Sequence, residues 1–250
     1  MTYNVWGNNL WPAREEALTL LLQTTRPDII LLQEVTSDIL ISIQKSLLEY
    51  SHIEDTTKLG WKTESNIFYK NSFLELVSYG LEDLNMEGYD NRGLFWARIC
   101  IKENPDITLF VSTAHFPWVG NPIEIKTGMN QRITSAARVA KHLTKLVKPG
   151  EPALFGGDFN EDFHPLRILN EEAGMIDVFE MLDLPPPITH PNRPCGDRYE
   201  EQRPNRTLDW ICASLPSNSR VIAAFCKSIR GGNFPPPSDH NPIITLIEIQ

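Results

Sequence analysis

A chain of 250 residues, 41% hydrophobic and 22% charged, has the composition of a folded globular protein and a length that fits one large α/β domain over residues 1–250, which excludes a disordered chain. Its formal net charge of −9 argues against a protein that coats long polyanions through a basic surface. Phosphate chemistry stays open, because a bound divalent cation supplies the local positive charge that one phosphate needs.

The four cysteines, Cys100, Cys195, Cys212 and Cys226, are widely spaced and form no C-x-x-C pair, so neither a disulfide-dense scaffold nor a cysteine zinc site is expected. Buried free thiols are. No apolar run approaches the roughly 20 residues of a membrane-spanning helix, and no charged-then-apolar leader is present. A soluble chain is expected. It opens directly on strand-like residues, so its start says little about compartment.

The elements follow in order. Met1–Trp6 reads as a strand, then Pro12–Thr24 as a helix with Ala17, Leu18, Leu21 and Leu22 on one stripe. Arg26-Pro27-Asp28 breaks it, and Ile29–Leu32 is an apolar run of buried-strand type. Ser37–Tyr50 reads as a second amphipathic helix. Short strands follow at Ile67–Tyr69, Leu74–Ser78, Leu94–Ile101 and Ile107–Thr113. A long helix is predicted at Gln131–Val147, and a strand at Pro152–Phe155 runs into Gly156-Gly157-Asp158-Phe159-Asn160. The last third carries strands at Thr207–Ala213, Val221–Ser228 and Ile243–Ile249. Meander-like strands punctuated by helices point to an α/β fold of two packed sheets flanked by helices.

The polar residues that stand out lie at or beside these strands: Glu34 after Ile29–Leu32, His115 after Leu109–Val111, Asp158 and Asn160 after Leu154-Phe155, Asp209 within Leu208–Ile211, and Asp239-His240 before the final strand. One such residue alone is a capped turn or a buried hydrogen bond. So many at strand ends indicate groups converging on one pocket. Asp158 and Asn160 alternate around Phe159 and, on an extended stretch, point to one side. Gly156-Gly157 lets backbone pass close to a substrate. Adjacent side chains on a strand diverge, so Asp239 is not the natural partner of His240. His52, His142, His164 and His190 have no such context and read as surface or packing residues. Trp61, Trp96, Phe116 and Trp118 are read first as core.

Asn4 in Thr2-Tyr-Asn-Val5, then Gln33-Glu34-Val35, Gly157-Asp158-Phe159-Asn160 and Ser238-Asp239-His240 resemble, in order and across nearly the whole chain, the signature of the endonuclease/exonuclease/phosphatase (deoxyribonuclease I-like) family. The resemblance implies a four-layer α/β sandwich with two mixed sheets, and metal-dependent hydrolysis of a phosphate ester with Mg²⁺ or Mn²⁺ as cofactor. Glu34, the Asn4 amide oxygen and Asp239 would be the metal ligands, hard oxygens of the kind these cations take. Asp158 and Asn160 would orient the attacking water and hold a phosphoryl oxygen, with Asp209 orienting His240 and His115 as phosphate ligand or leaving-group acid. Glu64 is a candidate partner for His115.

Trp6 stands where many DNA-repair members carry an acidic metal ligand. Asn-x-Trp-Gly is similar to some neutral sphingomyelinases, whereas Met129-Asn-Gln131 and Ile176–Phe179 are similar to the tyrosyl-DNA phosphodiesterase branch. The leading reading is a nucleic-acid or nucleotide phosphodiester, in short, single-stranded or end-modified form. A lipid, inositol or other small-molecule phosphoester is the alternative. A non-catalytic binding module on the same fold is disfavoured, because Glu34, Asp158, Asn160, Asp209 and His240 are all retained. A zinc hydrolase is disfavoured by the absence of H-E-x-x-H. No obligate protein partner is evident.

Overall fold

In the computed structural model, which describes residues 1–195, 197, 202–227 and 235–249, the apolar runs fold into two six-stranded sheets. The first holds β1 (Thr2–Asn4), β2 (Ile29–Gln33), β3 (Tyr50–His52), β4 (Ser65–Lys70), β11 (Arg220–Cys226) and β12 (Ile243–Glu248), in the order β11-β12-β1-β2-β4-β3. The second holds β5 (Leu74–Asp83), β6 (Gly93–Ile101), β7 (Asn104–His115), β8 (Ala153–Asp158), β9 (Ile176–Asp177) and β10 (Asp209–Ser214), in the order β5-β6-β7-β8-β10-β9. The pairs β1–β2 and β7–β8 are parallel and the others antiparallel.

Alternation along each strand divides its apolar residues between two cores. Ile30 and Leu32 of β2 face outward, to meet Leu18, Leu21 and Leu22 of α1 (Glu15–Thr25) and Ile39, Leu40 and Ile43 of α2 (Ser37–Ser46). Leu31, between them, faces the second sheet and packs with Ile67, Phe95, Ala97 and Val111. The far face of the second sheet, with Phe110, Phe155 and Cys212, is covered by α5 (Gln131–Leu146) and α6 (His164–Ala173). Helix, sheet, sheet, helix is the expected four-layer sandwich. Phe116, Phe155 and Phe159 stack in the outer core with centroids 5.0 and 5.1 Å apart, each burial contributing about 1.5–3 kcal/mol.

Several boundaries differ from the sequence reading for local reasons. The first helix starts at Glu15, not Pro12, because the preceding turns wrap around Arg14. That guanidinium is fully buried, bonds to the carbonyls of Gly7, Asn9 and Pro237, and lies 5.5 and 5.4 Å from the ring centres of Trp6 and Trp11. The second helix stops at Ser46, four residues short, since the chain must turn to start β3. The short elements β3, β9, α3 (Gly60–Thr63), α4 (Pro122–Thr127) and α7 (Val178–Met181), and the longer α6, were not expected. Ser228, the expected end of β11, lies outside the described residues. Cys100 and Cys212 are buried free thiols, Cys195 is buried and Cys226 is half-buried.

Candidate active site

Sheet polarity gathers the polar residues. Strands β1, β2, β7 and β8 reach one end of the sandwich with their carboxyl ends, carrying Asn4, Glu34, His115 and Asp158. Their antiparallel neighbours β4, β10 and β12 begin at that same end, so Glu64, Asp209 and Asp239-His240 arrive beside them. Register completes the alignment: His115 pairs with Asp158, and Asp158 with Asp209. Beneath them, Gln33 Nε2 donates to Thr2 Oγ1 (3.1 Å) and to Thr113 Oγ1 (2.7 Å), tying the two sheets together under the site.

Asn4 is fully buried, and its amide is oriented by three contacts. Its Oδ1 accepts from Trp6 N (2.9 Å), and its Nδ2 donates to Glu34 Oε1 and Asp158 Oδ2, both at 3.0 Å. The amide therefore turns its nitrogen, not the expected oxygen, toward the carboxylates, while its oxygen is engaged by Trp6 N. Glu34 sits at φ +55°, a left-handed conformation that costs a non-glycine residue on the order of 1–3 kcal/mol. Its side chain is 30% exposed and marks the mouth of the site.

Asp158 and Asn160 are not on an extended stretch. Asn160 has φ +51°, and its backbone N–H donates to Asp158 Oδ1 at 2.8 Å, closing an Asx turn. Its Nδ2 donates to Phe116 O at 3.0 Å. The turn is braced by Glu161, which binds Asn130, His164 and the buried Arg132, itself paired with Glu124. The glycines also serve a different purpose from the one expected. A Cβ on Gly157 would meet Ala114 O at 2.0 Å, and one on Gly156 would meet Leu31 and Thr2 across the sheets, so both secure close packing.

His240 Nδ1 and Asp209 Oδ2 are 2.7 Å apart, as the pairing of Asp209 with His240 anticipates. Burial alone would lower the His240 pKa, but the carboxylates of Asp209, Asp239 and Asp158 outweigh it and raise it well above the ordinary imidazole range. Conversely, burial pushes Asp158 up, but His240 and His115 prevail and hold it below its ordinary value. His115 Nδ1 lies 2.8 Å from Glu64 Oε1. Burial raises Glu64, and Arg92, 3.4 Å away, together with His115 more than offsets this, leaving Glu64 lowered and anionic.

His190 reads from the sequence as a surface or packing residue, and the structure packs it against the site. It is buried here, with its ring 4.6 Å from that of His240 and its Nε2 3.5 Å from Asp239 Oδ2. Its segment laces the site together: Asn192 N donates to Asp239 O (2.5 Å), Asn241 N to Thr189 O (2.7 Å), and Thr189 Oγ1 accepts from Asp209 N (3.1 Å). The T-H-P-N stretch lies between two proline-rich loops, and nothing in its spacing ties it to residue 239. Of the aromatic residues, Trp61 and Phe116 are core, Trp96 stacks on Phe110, and Trp118 is 44% exposed beyond the end of β7.

Among the described residues, no lysine or arginine nitrogen lies within 4.0 Å of the carboxylates of Glu34, Asp158 or Asp239; their close ionic neighbours are imidazoles at 3.5–4.0 Å. Anionic oxygens without a fixed cation fit a divalent metal, and Glu34, His115 and Asp158 form one group with ligand atoms within 4.8 Å of one another. A cavity of about 550 Å³ lies at the opposite end of the sandwich, lined by Ile29, Ile99, Leu109 and Leu154 and holding none of these groups. Chemistry rather than volume locates the site.

A four-layer sandwich with carboxylates and buried, carboxylate-held imidazoles at one end of its central strands is the architecture of a phosphoester hydrolase. The family description "Endonuclease/Exonuclease/phosphatase family" matches residues 1–240. The chain belongs to that family. No curated protein matches it by sequence. Among solved structures it is similar to D. rerio TDP2 complexed with single strand DNA product, at 16% identity and TM-score 0.80, covering 99% of this chain and 97% of the other. It is also similar to a Bacteroides vulgatus endonuclease/exonuclease/phosphatase (19%, TM-score 0.78, 100% and 97% covered) and to the Bacteroides thetaiotaomicron VPI-5482 mannosyl-6-phosphatase Bt3783 (20%, TM-score 0.75, 99% and 98% covered). At these identities the likeness is one of fold. No helix among the described residues is long and apolar enough to cross a membrane.

Proposed function

We propose that residues 1–250 are one catalytic domain that hydrolyses a phosphodiester of a nucleic acid or nucleotide with Mg²⁺ or Mn²⁺. The observation that carries the reading is the meeting of Glu34, Asp158 and Asp239 with two imidazoles, each held from behind by a buried carboxylate. Glu34 and Asp239 would hold the metal, with Asn4 fixing the Glu34 and Asp158 carboxylates through its amide nitrogen. When bound, the metal neutralises phosphate oxygens and activates the site for attack. Asp158, kept ionised, takes a hydrogen bond from an attacking water and orients it in line. Asn160 steadies a phosphoryl oxygen. His240, kept protonated by Asp209, faces the charge that grows on phosphorus, and His115 is positioned by Glu64 to meet the phosphate or the leaving oxygen.

The net charge of −9 gives a long duplex little counterion-release driving force, which favours short, single-stranded or end-modified substrates. The half-exposed Trp118 supplies a face for the attached group. The same charge also suits a small-molecule or lipid phosphoester, the second reading. Turnover of bis-(p-nitrophenyl) phosphate and of a short single strand with Mg²⁺, abolished by EDTA and restored by added metal, is expected. Full activity in chelator would overturn the assignment. Comparing kcat/KM on a short single strand, an intact plasmid, sphingomyelin and a sugar phosphate decides the substrate class.

A further inference from the structure

The buried histidines of the site share a geometric habit. His240 and His115 each use Nδ1 for a close carboxylate contact, at 2.7 and 2.8 Å, while Nε2 stands 3.5–4.0 Å from other carboxylate oxygens. Such a separation is too long for a hydrogen bond. It is close to the donor–donor spacing of two ligands on a common ion, which bonds of roughly 2.0–2.2 Å at tetrahedral angles place about 3.3–3.6 Å apart.

His190 extends this pattern away from Glu34. Its Nε2 lies 3.5 Å from Asp239 Oδ2, and His240 Nε2 lies 4.0 Å from Asp239 Oδ1. All three residues are buried, and their donor atoms fall within 4.8 Å of one another. The two sides of the site differ in donor chemistry. Glu34 offers hard oxygen, suited to Mg²⁺. Two imidazoles and one carboxylate form a borderline, nitrogen-rich set that suits Zn²⁺. Asp209, on Nδ1 of His240, completes the carboxylate–histidine arrangement that commonly backs a zinc-bound imidazole.

We infer that His190, Asp239 and His240 form a zinc site, and that zinc held there inhibits the enzyme by displacing the Nε2 proton of His240 to solvent and occupying that nitrogen. The binding half stands on the donor set alone; the inhibitory half rests on the proposed hydrolysis. His190 is the residue that separates the two functions, because the proposed reaction does not use it.

The test titrates Zn²⁺ alone, without Mg²⁺, into the full chain by calorimetry. The wild type should take up zinc with micromolar or tighter affinity. His190→Phe should weaken that uptake at least about tenfold, and Glu34→Gln should not. Co²⁺ loaded into the wild type should give the visible absorption bands of a nitrogen-containing tetrahedral site, lost in His190→Phe. In Mg²⁺-supported turnover, the zinc inhibition midpoint of His190→Phe, read relative to that variant's own zinc-free rate, should rise at least about tenfold.

Equal zinc affinity in wild type and His190→Phe would overturn the site. If that variant fails to fold, ring-nitrogen NMR of the wild type decides: zinc must shift Nε2 of both His190 and His240, and unshifted signals overturn the proposal. A protein inactive on every phosphoester would remove the phosphoesterase reading, with the calorimetry still judging the zinc site.

Discussion

Replacing Asp209 by Asn keeps the shape of the site and removes one charge. Asp209 Oδ2 is 2.7 Å from His240 Nδ1, and both residues are buried. An amide in its place can still bond the ring, but it neither keeps His240 cationic nor fixes which nitrogen carries the proton. Losing the carboxylate behind a catalytic imidazole costs about 10² to 10⁴ in kcat, which at 1.36 kcal/mol per tenfold is roughly 3–5 kcal/mol of transition-state stabilisation. Folding should respond differently. Burial and the neighbouring Asp158 both disfavour the Asp209 anion, so neutralising it offsets much of the lost bond to His240. The expected signature is a kcat at least about a hundredfold lower, with KM within about threefold and Tm within a few degrees. Steady-state kinetics with Mg²⁺ and a thermal melt measure all three. A kcat within threefold of wild type would refute the role given to the pair, and a collapse of Tm would make Asp209 a folding residue first.

Two further predictions concern stability. Gly157→Ala places a Cβ 2.0 Å from Ala114 O, a backbone atom that cannot turn aside, so the parallel β7–β8 pair must separate; a loss of at least about 3 kcal/mol in denaturant unfolding is expected. Gly128→Ala, at φ +71° with nothing within 4 Å of its Cβ, should lose only about 1–2 kcal/mol, and equal losses at the two positions would refute the packing argument. Burial pushes the Asp177 carboxyl from 3.8 up to about 6. The folded state thus binds this proton more tightly than the unfolded one. The associated stability is fully present below about pH 4 and lost as pH rises to about 6, leaving a deficit of roughly 3 kcal/mol above that. Asp177→Asn should therefore melt higher than wild type at pH 8 and with it at pH 4, and a gap independent of pH would contradict the assignment.

The sandwich was legible because its strands and long helices carry unambiguous periodicity: Ile29–Leu32, Leu94–Ile101 and Gln131–Val147 lie close to the observed β2, β6 and α5. The helix His164–Ala173, with Pro165 at its first turn and a buried Ile168-Leu169, was not expected from the sequence. At the site, residue types and strand ends were readable from the sequence, whereas the pairing of Asp209 with His240 came only from the family resemblance and Glu64 was only a candidate partner for His115; both pairs are in contact. Orientation was not readable. Which end of the Asn4 amide faces Glu34 depends on Trp6 N, and the Asx turn at Asn160 depends on a left-handed backbone that no pattern of residue types announces. His190 was missed because it reaches the site through a loop contact with residues about 50 positions away, where periodicity is silent.

The first sheet sets β1 between β12 and β2, and Ser238 Oγ donates to Asn4 O at 2.8 Å across 234 residues of chain. During folding, β1 therefore keeps one edge bare until β12 arrives, while β5 to β10 can pair with one another without it. Such long-range closure is entropically late and slow. Asn4 and Glu34 meet Asp239 and His240 only when β12 is drawn in, so before that closure half of the site lies on each side of a gap. The site is therefore a product of sheet closure, complete only when β12 has docked beside β1.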